Sequence, residues 1–490
     1  MYRQPSKRKQ LLKLVTIYTI MSVAVVVLVS ILVFFMLGYQ FNRTDGKIEQ
    51  GGLVQFDTAP SAADVMIDGK NLGTRTASRK TLSTGQHFIT MQRPGYKQWQ
   101  KSVDVKAGGV LWLTYARLVP NDLKPTNVAN FATVSSTASS PDNKWMAIKD
   151  DPATPTIRLV DLSRDEVETT NIELPATAYT APAPDKTQSF TLETWNPTSR
   201  MILVKHAYDD AKIEWIVVDA QNVAASKNAT TLLGINATKL VFSGNNNSIL
   251  YALVDNTVRK IDLGAATLSG PLVSNVAEFS LFDNTTILYT SLLDPTSKMR
   301  HAGYVTEGAS KPRVIRSYVD DGQTPLHISV GKYFDEYFYA LAYGQTVEVT
   351  KGPLSRSDDS NPAALTAVTT MNVPGGIQHV SILTNGRFVV AQTPTMYVVH
   401  DLELKKTTTT PLKTSVPLQR ELHWLDGYTV WHDQDSVLRM YEFDGMNQHE
   451  IMPVAPGFSV TYSPNAKYLY GIVKSADNQF HLTRVQMILP

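Results

Sequence analysis

Four acidic pairs and one mixed cluster are the residues of this chain whose types and spacing could do chemistry. The pairs are Asp150-Asp151, Asp209-Asp210, Asp320-Asp321 and Asp358-Asp359. Two carboxylates at one site can divide into an acid and a base. Adjacent residues on a strand face opposite ways, however, and adjacent residues in a loop are solvated. The cluster is His432-Asp433-Gln434-Asp435. It offers nitrogen and oxygen ligands for a hard cation, but it lacks the ligand count and the Gly of a calcium loop. The ten His residues are scattered along the chain. Gly457-Phe458-Ser459-Val460-Thr461 fails the Gly-x-Ser-x-Gly elbow at its last position. His449-Glu450 is followed by Ile451-Met452-Pro453, which ends any zinc-protease helix, and no Gly-Lys pair precedes Ser or Thr. We therefore expect no catalytic residue, no metal ligand and no cofactor.

The elements that carry these residues begin with an apolar run. Leu14–Leu37 has no charge, no Pro and no Gly over 24 residues. As a helix it would be about 36 Å long, enough to cross a bilayer. Arg3, Lys7, Arg8, Lys9 and Lys13 precede it without an acidic residue, and Arg43, Asp45, Lys47 and Glu49 follow it. Basic residues stay on the cytoplasmic side, so the N-terminus is expected inside and the bulk outside. A cleaved signal would have a shorter apolar region and a small-x-small site. Phe34-Phe35-Met36-Leu37-Gly38-Tyr39 offers none, so an uncleaved signal anchor in the cytoplasmic membrane is expected. Thr16, Thr19, Ser22 and Ser30 are small enough to bond back to their own helix.

The chain has 490 residues, a net charge of +2 and no Cys. The exported part must hold together by apolar burial and strand pairing, without disulfides. Thiol catalysis and thiolate metal sites are excluded. Outside the N-terminal tail there is no basic block, so nucleic acid is not an expected partner.

Residues 52–118 read as short strands. Leu53–Asp57 alternates apolar and polar, and Val65-Met66-Ile67 leads into Asp68-Gly69-Lys70-Asn71, a hairpin turn signal. His87–Met91, Val103-Asp104-Val105 and Val110–Leu118 follow. The pattern predicts a small two-layer sandwich. Gly52-Leu53-Val54, Pro60-Ser61-Ala62-Ala63, Val65–Lys70, Leu72-Gly73-Thr74, Leu82–His87 and Gly95-Tyr96-Lys97-Gln98-Trp99 together resemble a PEGA domain. The name-giving Pro-Glu-Gly-Ala is Pro-Ser-Ala-Ala here. The resemblance implies an extracytoplasmic β-sandwich and no chemistry. Tyr96 and Trp99 read as core aromatics; the functional alternative is a glycan-stacking pair.

Residues 128–490 repeat a polar turn followed by apolar strands. The turns fall at Asp142, Thr198, Asn246, Asn284, Asp335, Gly386, Gly427 and Asn465, spaced 38 to 56 residues apart. A propeller blade of four strands needs about 40–50 residues. Eight units predict eight blades, with seven as the alternative, and Val128–Val134 is a candidate strand to close the ring. Ser140-Pro141-Asp142-Asn143-Lys144-Trp145 resembles the WD40-like repeats of TolB-type propellers.

The expected organisation is all-β: a basic tail 1–13, a membrane helix 14–37, a PEGA-like sandwich 52–118, a linker 119–127 stiffened by Pro120 and Pro125, and a propeller 128–490. The expected function is non-enzymatic presentation of the propeller to an envelope protein or a cell-wall glycan. A hydrolase or lyase with its site in the central funnel is the alternative. It would require an inward-facing polar cluster, for which His206, His327 and His423 are candidates. A sensor acting through a membrane partner is the third reading. The helix has no clear small-xxx-small face for such a partner.

Overall fold

The computed structural model describes residues 7–36, 38–42, 47–210, 212–244, 246–320, 322–415, 417 and 420–490. Arg3, Leu37, Arg43, Asp45 and Asp321, which entered the sequence readings, lie outside the described residues. The chain divides into two compact units, Met1–Asp122 and Leu123–Pro490.

The first unit opens with helix α1, Lys7–Met36. Its segment Gln10–Phe34 has the length and composition of a membrane span or a signal sequence, and none of that window is buried. The hydroxyls of Thr16, Thr19 and Ser30 each donate to the carbonyl four residues back, at 2.8 Å. These three hydroxyls are thereby satisfied within the helix itself.

Two sheets follow. In one, strand Gly52–Ala59 lies between Ser78–Leu82, antiparallel, and Val110–Arg117, parallel. In the other the order is Lys70–Arg75, Asp64–Ile67, Gly85–Gln92, Trp99–Val105. Alternation along Gly52–Thr58 sends Val54 and Phe56 inward, where they join Val65, Ile89, Met91, Trp99 and Leu113 in the buried core. The Asp68-Gly69 turn has positive φ at both residues, 50° and 77°. Ala62 stands where the PEGA motif has Gly, and it too has positive φ, 66°. Of residues 119–127, two are bonded into this unit: Lys97 N–H donates to Val119 O at 2.8 Å and Asn121 N–H to Gly95 O at 2.9 Å. Thr126 and Asn127 already belong to the second unit's first strand.

The second unit contains eight four-stranded antiparallel sheets in succession. Seven are built from consecutive strands. The eighth takes Thr461–Tyr462, Tyr468–Lys474 and Phe480–Gln486 from the end of the chain and Thr126–Phe131 from its start. The closing strand thus falls on the expected segment and forms the outer edge of the last blade. The ring is also tied inside: Ser459 N–H donates to Thr137 Oγ1 at 2.7 Å, and Thr461 Oγ1 to Asn143 Oδ1 at 2.9 Å, joining the last blade to the first.

Each of the eight sequence turns lies at the hairpin between the first and second strands of its blade. These hairpins take left-handed residues where they are needed, such as Asn143 at 59° and Ser199 at 57°. Gly386 is constrained further, because a Cβ there would meet Lys332 O at 1.8 Å. Neighbouring blades bury apolar faces on each other. Trp195 of the second blade packs among Ala138, Ala147 and Leu159 of the first, and its indole N–H donates to Ala138 O at 2.9 Å.

Candidate functional site

The first strands of the eight blades face the ring's axis and line its channel. They are Ser136–Ser139, Gln188–Trp195, Ala237–Phe242, Val276–Leu281, Leu326–Tyr333, His379–Ile382, His423–Trp424 and Thr461–Tyr462. Register sets what they present. In four blades the backbone N–H of Ser243, Phe282, Leu383 or Leu425 closes the hairpin onto the second strand. The residue four positions earlier is Lys239, Glu278, His379 or Glu421. In the fifth blade the strands run on to Tyr333 opposite Glu336 before the turn, and it is His327, next to Glu278 and stacked on His379, that stands at this level. Five consecutive blades therefore carry Lys239, Glu278, His327, His379 and Glu421 at one level.

These five residues border a cavity of about 290 Å³, with Phe279, Tyr289 and Thr290 in its wall. His327 Nδ1 lies 3.6 Å from Glu278 Oε2, and the His327 and His379 rings are stacked with centroids 6.3 Å apart. Lys239 Nζ donates to Phe279 O at 2.9 Å and so is held against the wall. The His327 imidazole beside it holds Glu278 below the usual carboxylate range. Glu421 moves the other way: it is reachable from the channel but ringed by protein, and that desolvation raises its pKa.

A second cavity, of about 560 Å³, lies against the first, second, seventh and eighth blades. It is lined by Glu193, Arg420, His423, Trp424, Trp431 and Phe458, among others. Glu193 is the extra residue of a bulge between Leu192 and Thr194, and the bulge re-aims its side chain. Its pKa is raised by desolvation. Arg420 pairs with buried Asp433 at 2.6 Å. His423 is stacked on Trp431 at 4.6 Å, and burial pushes its pKa down to about 4, leaving a neutral ring. Gln392 of the sixth blade, 2% exposed, positions the connecting segment: it donates to Arg420 O at 2.8 Å and accepts from Leu422 N–H at 2.7 Å.

Two of the three histidines expected in the funnel, His327 and His423, are there. His206 is not. It is fully buried inside the second blade, 2.7 Å from Glu214 and stacked on Phe190 at 4.0 Å. Tyr96 and Trp99, 5% and 1% exposed, belong to the core and offer no face for a sugar. In the His432 cluster, Asp433 is taken by Arg420 and the Gly457 N–H, and Asp435 by Arg439. Among the described residues no group of three His, Cys, Asp or Glu could hold a metal ion. Lys239, Glu278, His379 and Glu421 were missed from sequence. Their signal is a common offset, six or seven residues before the turns at Asn246, Asn284, Gly386 and Gly427.

A family model described as the PEGA domain matches residues 52–120. No curated protein matches the chain. Among solved structures, the yeast heterotrimeric Nup82-Nup159-Nup116 nucleoporin complex contains a chain similar to this one at 8% identity and TM-score 0.42, with 65% of this chain and 97% of that chain covered. Tricorn protease is similar at 8% identity and TM-score 0.40; the match covers 74% of this chain and 38% of that one. The chain carries a PEGA domain at 52–120 followed by eight four-stranded sheets that build an eight-bladed propeller.

Proposed function

We propose that this is a membrane-anchored, extracytoplasmic binding protein whose propeller holds a cell-envelope glycan at the mouth of its channel. One observation carries the reading. The larger cavity sets the half-buried Trp424 and Phe458 beside Arg420 and Glu193. Aromatic faces accept the apolar face of a sugar ring, while charged groups at the rim bond its hydroxyls. The uncleaved anchor and its orientation rest on the long apolar run and the basic residues before it. The test uses the full chain in lipid nanodiscs, mixed with purified cell-wall glycan and with envelope extract. Retention on glycan, lowered about tenfold or more by Trp424→Ala, is expected. Retention of an envelope protein with no glycan bound would overturn the reading in favour of a protein scaffold.

One observation favours a second reading, a hydrolase or lyase. Glu278 and Glu421 border the same cavity with pKa values driven apart. Two carboxyls whose pKa values are driven apart can divide into general base and general acid. Release of shorter glycan products, abolished by Glu421→Gln, would establish it.

A further inference from the structure

We propose that the smaller cavity binds the primary ammonium group of an amino sugar, an assignment that rests on the glycan reading and names the sugar.

The first ground is charge. Three carboxylates line the two cavities: Glu193, Glu278 and Glu421. Lys239 and Arg420 border the cavities with them, and the charge of Lys205 acts on Glu193. Arg420 is already paired with Asp433, and Lys239 is turned onto a backbone carbonyl. At the smaller cavity two carboxyls, Glu278 and Glu421, therefore stand against one lysine whose ammonium is already bonded, which leaves room for a further cation.

The second ground is unmet bonding. Thr290, 2% exposed, borders the smaller cavity, and its hydroxyl has no hydrogen-bond partner. It stands directly across the ladder from Glu278, so the two side chains share a face. A buried hydroxyl without a partner costs free energy that a bound polar group can recover.

The third ground is scale. No three candidate ligands among the described residues converge on a metal ion. Glu278 and Glu421 come from the fourth and seventh blades, with the His327–His379 pair between them. That spread suits an organic cation. An ammonium brings three donors and no acceptor, which matches carboxylates and a hydroxyl. The adjoining cavity continues with Trp424 and Phe458, so neighbouring units of one chain would lie against both.

Isothermal titration of the full chain in nanodiscs tests this with two probes, fully deacetylated and fully acetylated glucosamine tetramers, at a pH where the free amine is charged. The expected result is tighter binding of the deacetylated tetramer by about tenfold or more. Glu421→Gln and Glu278→Gln should each erase most of that preference, weakening the deacetylated tetramer far more than the acetylated one. Both carboxylates are open to the channel, and a thermal melt checks that each variant is folded. Equal binding of the two tetramers would overturn the ammonium site and leave the glycan reading standing. Binding of neither would overturn both. Tighter binding of an oligolysine peptide than of the deacetylated tetramer would overturn the assignment to a sugar.

Discussion

Glu278 of the fourth blade and His327 of the fifth face each other across a blade boundary, with Oε2 and Nδ1 3.6 Å apart. The contact favours the ionised form of Glu278. Removing the imidazole by His327→Ala should let desolvation raise the Glu278 pKa, since His327 supplies the largest lowering effect. The acid limb of ligand binding, followed by titration at several pH values, should then move to higher pH. An unmoved limb would mean that Glu278 does not control it.

Lys149 predicts a pH effect on stability. Its side chain is fully buried, donating to Thr156 O at 2.7 Å, and desolvation lowers its pKa to about 8. Between pH 8 and 10.5 the unfolded chain holds more of this proton than the folded one, so stability should rise with pH. The whole effect is at most about 3 kcal/mol. Comparing melting curves of the native chain and Lys149→Met from pH 7.5 to 9.5 isolates it; the rise should be absent in the variant.

Ring closure predicts a crosslink. Asn130 and His481 are paired across the closing strands, and Asn130 Oδ1 lies 2.7 Å from His481 Nδ1. The chain has no Cys, so Asn130→Cys with His481→Cys would introduce its only thiols. Oxidation should consume both and slow unfolding, with a gain of about 2–4 kcal/mol. Thiols that stay free in the folded protein would contradict the pairing.

Ala62 predicts a small gain. A side chain in the left-handed region costs about 1–2 kcal/mol, and Gly there loses about 0.5–1 kcal/mol of extra unfolded-state entropy. The first effect is larger, so Ala62→Gly should stabilise the PEGA domain by about 0.5–1 kcal/mol. Denaturant midpoints would show it.

What was legible in the sequence was local. The eight turns could be read because each hairpin asks for short polar residues or Gly within a few positions. The closing strand was legible as an apolar segment left over before the first repeat. The channel was not, because its residues come from successive blades and meet only when the ring closes. His206 illustrates the difficulty. Its strand alternates as the others do, but its position turns it between the sheets onto Phe190 instead of toward the axis. Glu193 was hidden for another reason: a bulge changes which way it points, and alternation alone gives the wrong face. Aligning the repeats by their turns would have brought Lys239, Glu278, His327, His379 and Glu421 within three adjacent columns, six to eight residues before each turn.

The account depends most on an anchored propeller outside the cell, and a chain without Cys allows a direct measurement. Asp185 is exposed in a loop of the second blade, so Asp185→Cys gives a single reporter thiol. Intact cells producing this variant would be treated with a membrane-impermeant maleimide and then fractionated. The account predicts full labelling before lysis, with the labelled chain retained in the membrane fraction at its full length. Labelling only after lysis, or a shortened labelled chain free in the medium, would contradict it.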